Sequence, residues 1–512
     1  MRAPVIVVSR DVETRRDAES NFGQWMALAI ALLGWMFDGY EMGLFPLIGG
    51  PALASLLGPA AATDAPKWFG AIMAMFLVGA ATGGVLFGWL GDRIGRKRAM
   101  ALSIFTYAVF TGLCGLAAQV WQIAALRFVA SLGMGGEWSL GVALVNEIWP
   151  GKSRAVIAGL IGAAANVGIL AVGVLSIGLH TFIGSVQTVL LAVGLPQAWV
   201  TFLLANSGWR FLMISGAFPA ILVVLVIPFV PESRRWEDEK ARGATSHWAS
   251  DDLYGILIGC LATLAIVWSW SPIGVRPAAA ALVTLVGLGV ALAGFLLPAR
   301  RYLDRAAAAG DILPGTKRQI LKYMLLGAGL AGVVQLGTWG SIQWAAFWAF
   351  QLEPNPARLA KEYTQITLSV AAIAGTIIAA LAAMRFGRRI TYAVMCAGSI
   401  ASALLLYQAN HEFNGFFLFC IFLAGGMTAS FYGWFPLYLP ELFPTAVRAT
   451  GQGFAFNFGR ILAAIGGLQT AALMALFDGS FPKAGSVLTL FYLVGLAIIW
   501  LGPETKGKPL PS

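Results

Sequence analysis

The feature that most constrains this chain is a series of nearly uncharged apolar blocks running from 22–48 to 484–501, each about 20 residues long, the length of a membrane span. At about 1.5 Å of rise per residue, a helix of that length crosses a hydrocarbon layer of about 30 Å. Lipid offers no hydrogen-bond partner to free backbone groups, so helices are the expected solution. The strict alternation that a membrane barrel needs is absent from these blocks. Of the 512 residues 58% are hydrophobic and only 11% charged, against about 25% charged in an ordinary soluble domain. An all-α polytopic membrane protein is therefore expected.

Fourteen spans are predicted, near 22–48, 69–91, 99–118, 122–146, 155–178, 209–230, 253–271, 279–298, 320–350, 364–383, 390–408, 415–438, 449–475 and 484–501. With a cytoplasmic N-terminus, six of the 34 Lys and Arg fall outside: Lys67, Arg210, Arg276, Arg358, Lys361 and Lys483. Two more, Arg127 and Arg460, lie within spans, which leaves 26 on the cytoplasmic side. That asymmetry predicts an inner-membrane protein with both termini in the cytoplasm. The net charge of +10 lies in short loops between spans, so it orients the chain and does not point to nucleic acid. Residues 1–21 carry mixed charge without a cleavage site and are expected to be a short cytoplasmic tail. The apolar stretch 183–204 has no room to be a span and is expected to be an outer interfacial or re-entrant element.

Cys114, Cys260, Cys396 and Cys420 sit inside apolar blocks without CxxC spacing, so no disulfide framework or zinc site is expected. His180, His247 and His411 fall in loops or at span ends and form no cluster. No metal, cofactor or catalytic constellation is expected, and the chain is read as a monomer whose partners are lipid, a small solute and protons.

An internal repeat divides the chain. Glu147, Pro150 and Arg154 recur as Glu441, Pro444 and Arg448, each shifted by 294, and "DRIGRK" at 92–97 is echoed by "MRFGRR" at 384–389, shifted by 292. Near-equal shifts from separate places argue for duplicated halves. The expected divisions are a tail over 1–21, a six-helix half over 22–230, and a central segment with two extra helices over 231–319. A second six-helix half over 320–501 and a tail over 502–512 complete the chain.

The loop "GWLGDRIGRKR" at 88–98 resembles the signature of the major facilitator superfamily, and the repeat adds to that resemblance. "PESRRW" (231–236) and "PETKG" (503–507) resemble sugar-porter strings, whereas "FDGYE" (37–41) and "RATGQGFAFNFGRI" (448–461) are similar to aromatic-acid and related metabolite:proton symporters. "GMGGEW" (133–138), "EIWP" (147–150) and the extra helix pair resemble sialic acid transporters. The resemblance implies two pseudo-symmetric six-helix halves and gating loops that contain Gly88, Asp92, Arg93, Gly95, Arg96, Glu147, Arg154, Glu441 and Arg448. Three departures stand out: Met384 replaces the acid of the first-half loop, Gly162 stands where sugar porters carry a glutamine, and their paired glutamines are missing from 332–344.

Ionisable side chains deep in a membrane are costly and usually functional. Asp38 and Glu41 share a face of the first span. Asp38 and Arg127 are predicted at heights differing by roughly 7 Å, within reach of one another. Resemblance to proton symporters makes them the expected coupling pair, with a static salt bridge as the alternative. Glu137 lies about 15 Å beyond Arg127 along the helix and needs a partner from another helix, either as a further proton-coupling group alongside Asp38, Glu41 and Arg127 or as a structural pairing. Arg460, about 18 Å beyond Arg448, and Asn166, equally far beyond Arg154, are expected near the midplane facing a cavity. Arginine binds carboxylates bidentately, so an anionic solute is its natural partner; the alternative is pairing with Glu137 or another acid. Trp339, Gln343, Trp344, Tyr432, Trp434 and Asn457 are candidates for the second-half wall, against ordinary packing. The expected activity is proton-coupled symport of an aromatic or sugar acid, with a sugar or polyol carrier as the alternative.

Overall fold

A computed structural model of the chain describes residues 10–58, 64–149, 153–271, 273–312, 315–355 and 358–511. The first half comprises α1 (Arg10–Leu57), α2 (Ala65–Ile94), α3 (Arg96–Cys114), α4 (Val120–Ile148), α5 (Arg154–Ala192), α6 (Gln197–Ser215) and α7 (Ala220–Phe229). A short α8 (Arg234–Ala241) leads to the central pair α9 (Leu253–Trp270) and α10 (Pro277–Ala309). The second half follows as α11 (Thr316–Trp339), α12 (Ala345–Leu352), α13 (Ala360–Phe386), α14 (Arg388–Ala409), α15 (Gly415–Ala429) and α16 (Phe431–Tyr438). It ends with α17 (Arg448–Asn457), α18 (Gly459–Leu476), α19 (Phe481–Thr489) and α20 (Tyr492–Ile498).

Every predicted span falls on helix. Twelve helical segments among the described residues are long and apolar enough to cross a membrane. The other two predicted spans coincide with α3 and with the α17–α18 run. Of the expected tail, residues 1–9 lie outside the described residues, and from Arg10 the chain is already in α1.

The stretch 183–204 is helical on both sides of a turn. α5 continues past a kink at Phe182 (φ −118°, ψ 23°) to Ala192, and α6 opens at Gln197. Asn206, Ser207 and Gly208 then break α6, all with positive φ of 51°, 63° and 65°. The apolar pattern predicts a sixth span beginning at Trp209, after that break, whereas the segment long and apolar enough to cross a membrane runs from Gln197 to Phe229.

The halves are built alike. Gly83 on α2 meets the carbonyl of Leu132 on α4 so closely that no Cβ would fit. Gly375, 292 residues on, meets the carbonyl of Gly426 beyond α13 in the same way. The duplication therefore extends from the charged loops into the helix crossings, where small residues let backbones approach. Between the halves α2 lies along α17 and α18, and α5 along α13 and α16. Trp138 of α4 and Phe456 of α17 stack across that interface with centroids 3.7 Å apart and planes 8° apart. The central pair packs on itself through Gly255 and Gly294, each of which would push a Cβ to 2.7 Å from the other's carbonyl oxygen. It rests against α2 and α18.

Candidate functional site

Two buried charge clusters lie on the line between the halves, one at the loop end and one deep in the helices. The loop end is organised by matching glycine corners. Gly95 (φ 108°) turns the chain from α2 into α3, and Gly387 (φ 96°) turns it from α13 into α14. A Cβ at either would collide with a carboxylate, Glu232 or Glu504. Glu232 accepts from the amides of Arg96 (2.9 Å) and Lys97 (3.3 Å), and Glu504 from those of Arg388 (3.0 Å) and Arg389 (3.2 Å). Each thus satisfies the otherwise unpaired first amides of a helix, where the dipole favours negative charge. Burial pushes the Glu232 carboxyl up from its ordinary value despite these donors. Burial acts the same way on Glu504, but the amides of Arg388, Lys506 and Arg389 and the Arg388 charge together outweigh it, so that carboxyl lies below its ordinary value.

The same corners send arginines inward. Arg96 bonds Asp92 (2.6 Å), the Gly91 carbonyl (2.7 Å) and the Thr445 carbonyl across the interface (2.9 Å), and reaches Glu147 at 3.4 Å. Glu147 in turn accepts from Arg448 (2.7 Å) and Ser233 (2.5 Å). Arg388 forks onto Glu441 at 2.6 and 3.0 Å, and Glu441 also accepts from Thr505 (2.6 Å). Arg154 approaches Glu441 at 3.9 Å and donates to the Lys508 carbonyl.

Here the halves diverge. Asp92 accepts from the Thr450 amide (2.8 Å), the Thr450 hydroxyl (2.6 Å) and the Ala449 amide (3.3 Å), capping α17 from across the interface. Gly88 allows that approach, since a Cβ there would come to 2.7 Å from the Ala449 carbonyl oxygen. The equivalent Met384 is exposed and makes no such bond. Arg93 stands apart from the rest of the gating set: it lies over Trp89 and donates to Ser250, tying the loop to the approach to α9.

The deeper cluster gathers five buried charged groups: Asp38 and Glu41 of α1, Arg127 and Glu137 of α4, and Arg460 of α18. It corrects one expected pairing. Arg127 faces Glu41 at 3.7 Å and not Asp38, because Glu41 lies nearly one turn further along α1, about 4.5 Å closer to the height of Arg127. Thr111 donates to Glu41 at 3.1 Å. The Arg127 guanidinium sits 5.0 Å from the Phe45 ring and 4.6 Å from that of Phe76, and none of its nitrogens has a hydrogen-bond partner. Asp38 is turned the other way, within hydrogen-bond reach of Glu137, beside which Tyr107 also stands. Gly34 makes the room, since a Cβ there would overlap the Glu137 carboxylate. Glu137 therefore does not pair with Arg460. That guanidinium lies nearer Asp38 and Tyr432, is 5.4 Å from the Phe456 ring, and leaves Nη1 unpartnered.

One α1 turn beyond Asp38, a small cavity opens between the halves against Met42, Gly43, Ile169, Trp339, Gln343 and Gln365. Gln365 is buried, and its Nε2 has no partner. Of the expected wall residues, Trp339 and Gln343 line this space. Asn166 is buried with its amide spent on the Gly162 carbonyl of its own helix. Asn457 is committed to the interface, donating to the Gly135 carbonyl of α4 at 3.3 Å. Trp434 is sequestered at the loop end, donating to the Arg388 carbonyl at 3.0 Å, and does not line the cavity. Sequence reasoning passed over Glu232, Glu504, Arg388, Tyr107 and Gln365. A signal existed for the first three, in the recurring Pro-Glu strings and in the register of "GRRI" with "GRKR".

A family profile described as "Sugar (and other) transporter" matches residues 26–248 and 323–512, leaving out the whole of the central pair. A putative metabolite transport protein of Haemophilus influenzae is 26% identical over 95% of this chain and 98% of its own length. The niacin transporter NiaP of Acinetobacter baylyi is 26% identical over 94% of each chain. The cis,cis-muconate transport protein of the same organism is 27% identical over 83% of this chain and 81% of its own. Among solved structures, the proton:xylose symporter XylE bound to 6-bromo-6-deoxy-D-glucose superposes with a TM-score of 0.66. That likeness spans 95% of this chain and 98% of the other at 18% identity. With a profile match over most of its length, relatives that are transporters along their whole length, and the helical fold of a major facilitator protein, this chain belongs to the sugar (and other) transporter family and is an integral, multi-pass membrane transporter.

Proposed function

We propose that this protein is a proton-coupled symporter that carries a small organic anion by alternating access, the two halves rocking about the line where both charge clusters lie. The observation that carries the reading is Arg460, a buried guanidinium with an unpartnered Nη1 in the cluster one turn below the cavity between the halves. A carboxylate from the cavity side supplies what that group lacks, with the planar fork setting its orientation. Relatives named for niacin and cis,cis-muconate, both carboxylic acids, support that solute class.

Glu41 and Arg127 supply the coupling. At 3.7 Å and without a hydrogen bond, the pair is held loosely, and protonation of Glu41 frees Arg127 to move between the Phe45 and Phe76 rings. The cytoplasmic network is the inner gate, and its release parts α2 from α17 and α5 from α16. The orientation follows the Lys and Arg asymmetry, with both termini cytoplasmic and the chain acting as a monomer in the inner membrane. Residues 22–230 and 320–501 are the moving halves, and 231–319 is an accessory segment.

The test is uptake into proteoliposomes of labelled nicotinate, cis,cis-muconate, sialic acid and xylose, with and without an inward proton gradient. The expected result is uphill accumulation of one of the acids, driven by the gradient, and none of xylose. Gradient-driven xylose uptake without acid uptake would put the sugar or polyol reading first.

A further inference from the structure

The deep cluster contains more acids than bases. Asp38, Glu41 and Glu137 stand against Arg127 and Arg460, and the other buried charged groups among the described residues belong to the loop-end network or to the Asp252–Arg305 pair. Fully ionised, the cluster carries one net negative charge. An unbalanced charge in a lipid-surrounded interior is far more costly than a hydrogen bond is favourable. The geometry indicates where the balancing proton sits.

Glu41 has Arg127 at 3.7 Å and the Thr111 hydroxyl at 3.1 Å. Asp38 and Glu137 have each other. Neither oxygen of Glu137 nor Oδ1 of Asp38 meets a protein hydrogen-bond donor with good geometry, although the two carboxyls lie within hydrogen-bond reach. The titratable and charged groups around them are Glu41 on α1, Tyr107 on α3, Arg127 on α4, Tyr432 on α16 and Arg460 on α18. Two ionised carboxylates facing each other repel, whereas one proton between them makes a hydrogen bond. Gly34 is shaped to that arrangement, because any side chain there would push Glu137 out of line.

We infer that Asp38 and Glu137 share one resident proton, retained throughout the transport cycle, and that the proton which travels binds Glu41. The first clause stands on the cluster alone; the second rests on the symport reading above. With its resident proton the empty cluster is neutral. A monoanionic solute adds one negative charge and one further proton cancels it, so the loaded carrier is neutral as well. One monoanion and one proton then cross together without net charge movement.

Infrared spectroscopy of the purified full chain in liposomes near neutral pH tests the first clause without any solute. A protonated carboxyl gives a carbonyl-stretch band that shifts in heavy water. The expected result is a band present in the wild type and absent from both Asp38→Asn and Glu137→Gln. No such band in the wild type overturns the inference, as does a band that survives both amide substitutions. The wild-type spectrum decides even where one variant folds poorly.

Transport of labelled nicotinate supplies a second readout that a merely structural pair would not move. Either single amide leaves the cluster neutral and is expected to retain more of the gradient-driven accumulation than the double variant. The Asp38→Asn/Glu137→Gln double variant, which carries an extra positive charge, loses it, as does Glu41→Gln. Loss of coupling in a well-folded Glu137→Gln variant, or wild-type nicotinate uptake that responds to an imposed membrane potential, overturns the inference. Wild-type uptake of every tested acid that ignores a pH gradient sinks the symport reading while leaving the infrared result to stand by itself.

Discussion

The loop-end network and the deep cluster are both sealed from solvent, yet they are bonded in opposite ways. Every carboxylate oxygen of Asp92, Glu147 and Glu441 accepts a hydrogen bond at 2.5 to 2.7 Å. In the deep cluster the closest ion pair is 3.7 Å, and Arg127, Asp38, Glu137 and Arg460 all keep unpartnered polar atoms. A buried charge network whose carboxylates are saturated, as at the loop end although Arg96 Nε and Arg154 Nη1 lack hydrogen-bond partners, favours one arrangement; one whose carboxylates are not leaves affinity for something to be added. The first behaves as a lock and the second as a receptor for solute and protons.

The contrast is open to direct attack, and the largest effect is expected at the lock. Glu147→Ala leaves Arg96 and Arg448 buried without their shared carboxylate, which should cost roughly 3–5 kcal/mol of stability. Thermal unfolding of the purified variant measures this, and an unchanged midpoint would show that the network is slack. In the receptor, Arg460→Gln should fold normally and lose a charge-assisted contact to the solute, about 1.5–3 kcal/mol or roughly 10- to 150-fold in affinity. Lysine should rescue only part, since it lacks the planar fork. Equal affinity in the wild type and Arg460→Gln would remove the arginine from solute binding.

A smaller effect is expected from Asp92→Asn, which weakens the cap on α17 by about 0.5–2 kcal/mol. The population should shift towards a conformation open on the loop side. A cysteine replacing Ala449 should then label faster from that side than in the Asp92 background. No such change is expected at Met384, where the bond does not exist.

The smallest effect belongs to Glu504, a partly exposed cap worth about 0.3–1 kcal/mol. Folding holds its carboxyl below the ordinary 4.5, so its contribution is complete above that value and is lost as the pH falls below it. Stability of the wild type should therefore decline on acidification below pH 4.5 more steeply than that of Glu504→Gln. Parallel curves would remove Glu504 from the network.

The membrane-spanning character of the chain was legible because it rests on length and polarity, which are local properties. A block such as 155–178 has no other stable state in lipid, and the fourteen expected spans followed from that, twelve of them on segments long and apolar enough to cross a membrane among the described residues. The repeat was legible too, because Asp92, Arg96, Glu147 and their counterparts sit in loops whose spacing survives duplication. The burial of Arg460 was legible as well, from its place in an apolar run twelve residues beyond Arg448, although that run is divided between α17 and α18. Rotation about the helix axis was not legible. Asp38 and Glu41 share a face, and only the packing of α1 against α4 decided that Glu41 takes Arg127 while Asp38 turns to Glu137.

What the sequence determined by itself was therefore the helical, membrane-spanning character of the chain and the order of its apolar helices, and it set the expectation for their orientation and for the depth of each buried charge. All of these come from counting residues against a hydrocarbon thickness and from the preference of basic loops for one side. What only the tertiary structure decided was which charges meet. Trp434 and Asn457 had the right residue types and the right heights for a cavity wall, but helix packing turned them to the Arg388 and Gly135 carbonyls. Gln365 drew no notice in the sequence, yet the approach of α13 to α1 and α5 brought it to the cavity with its amide unpartnered. Pairing depends on side-chain direction and on the few ångströms by which helices slide past one another, and neither is encoded in spacing along a single helix.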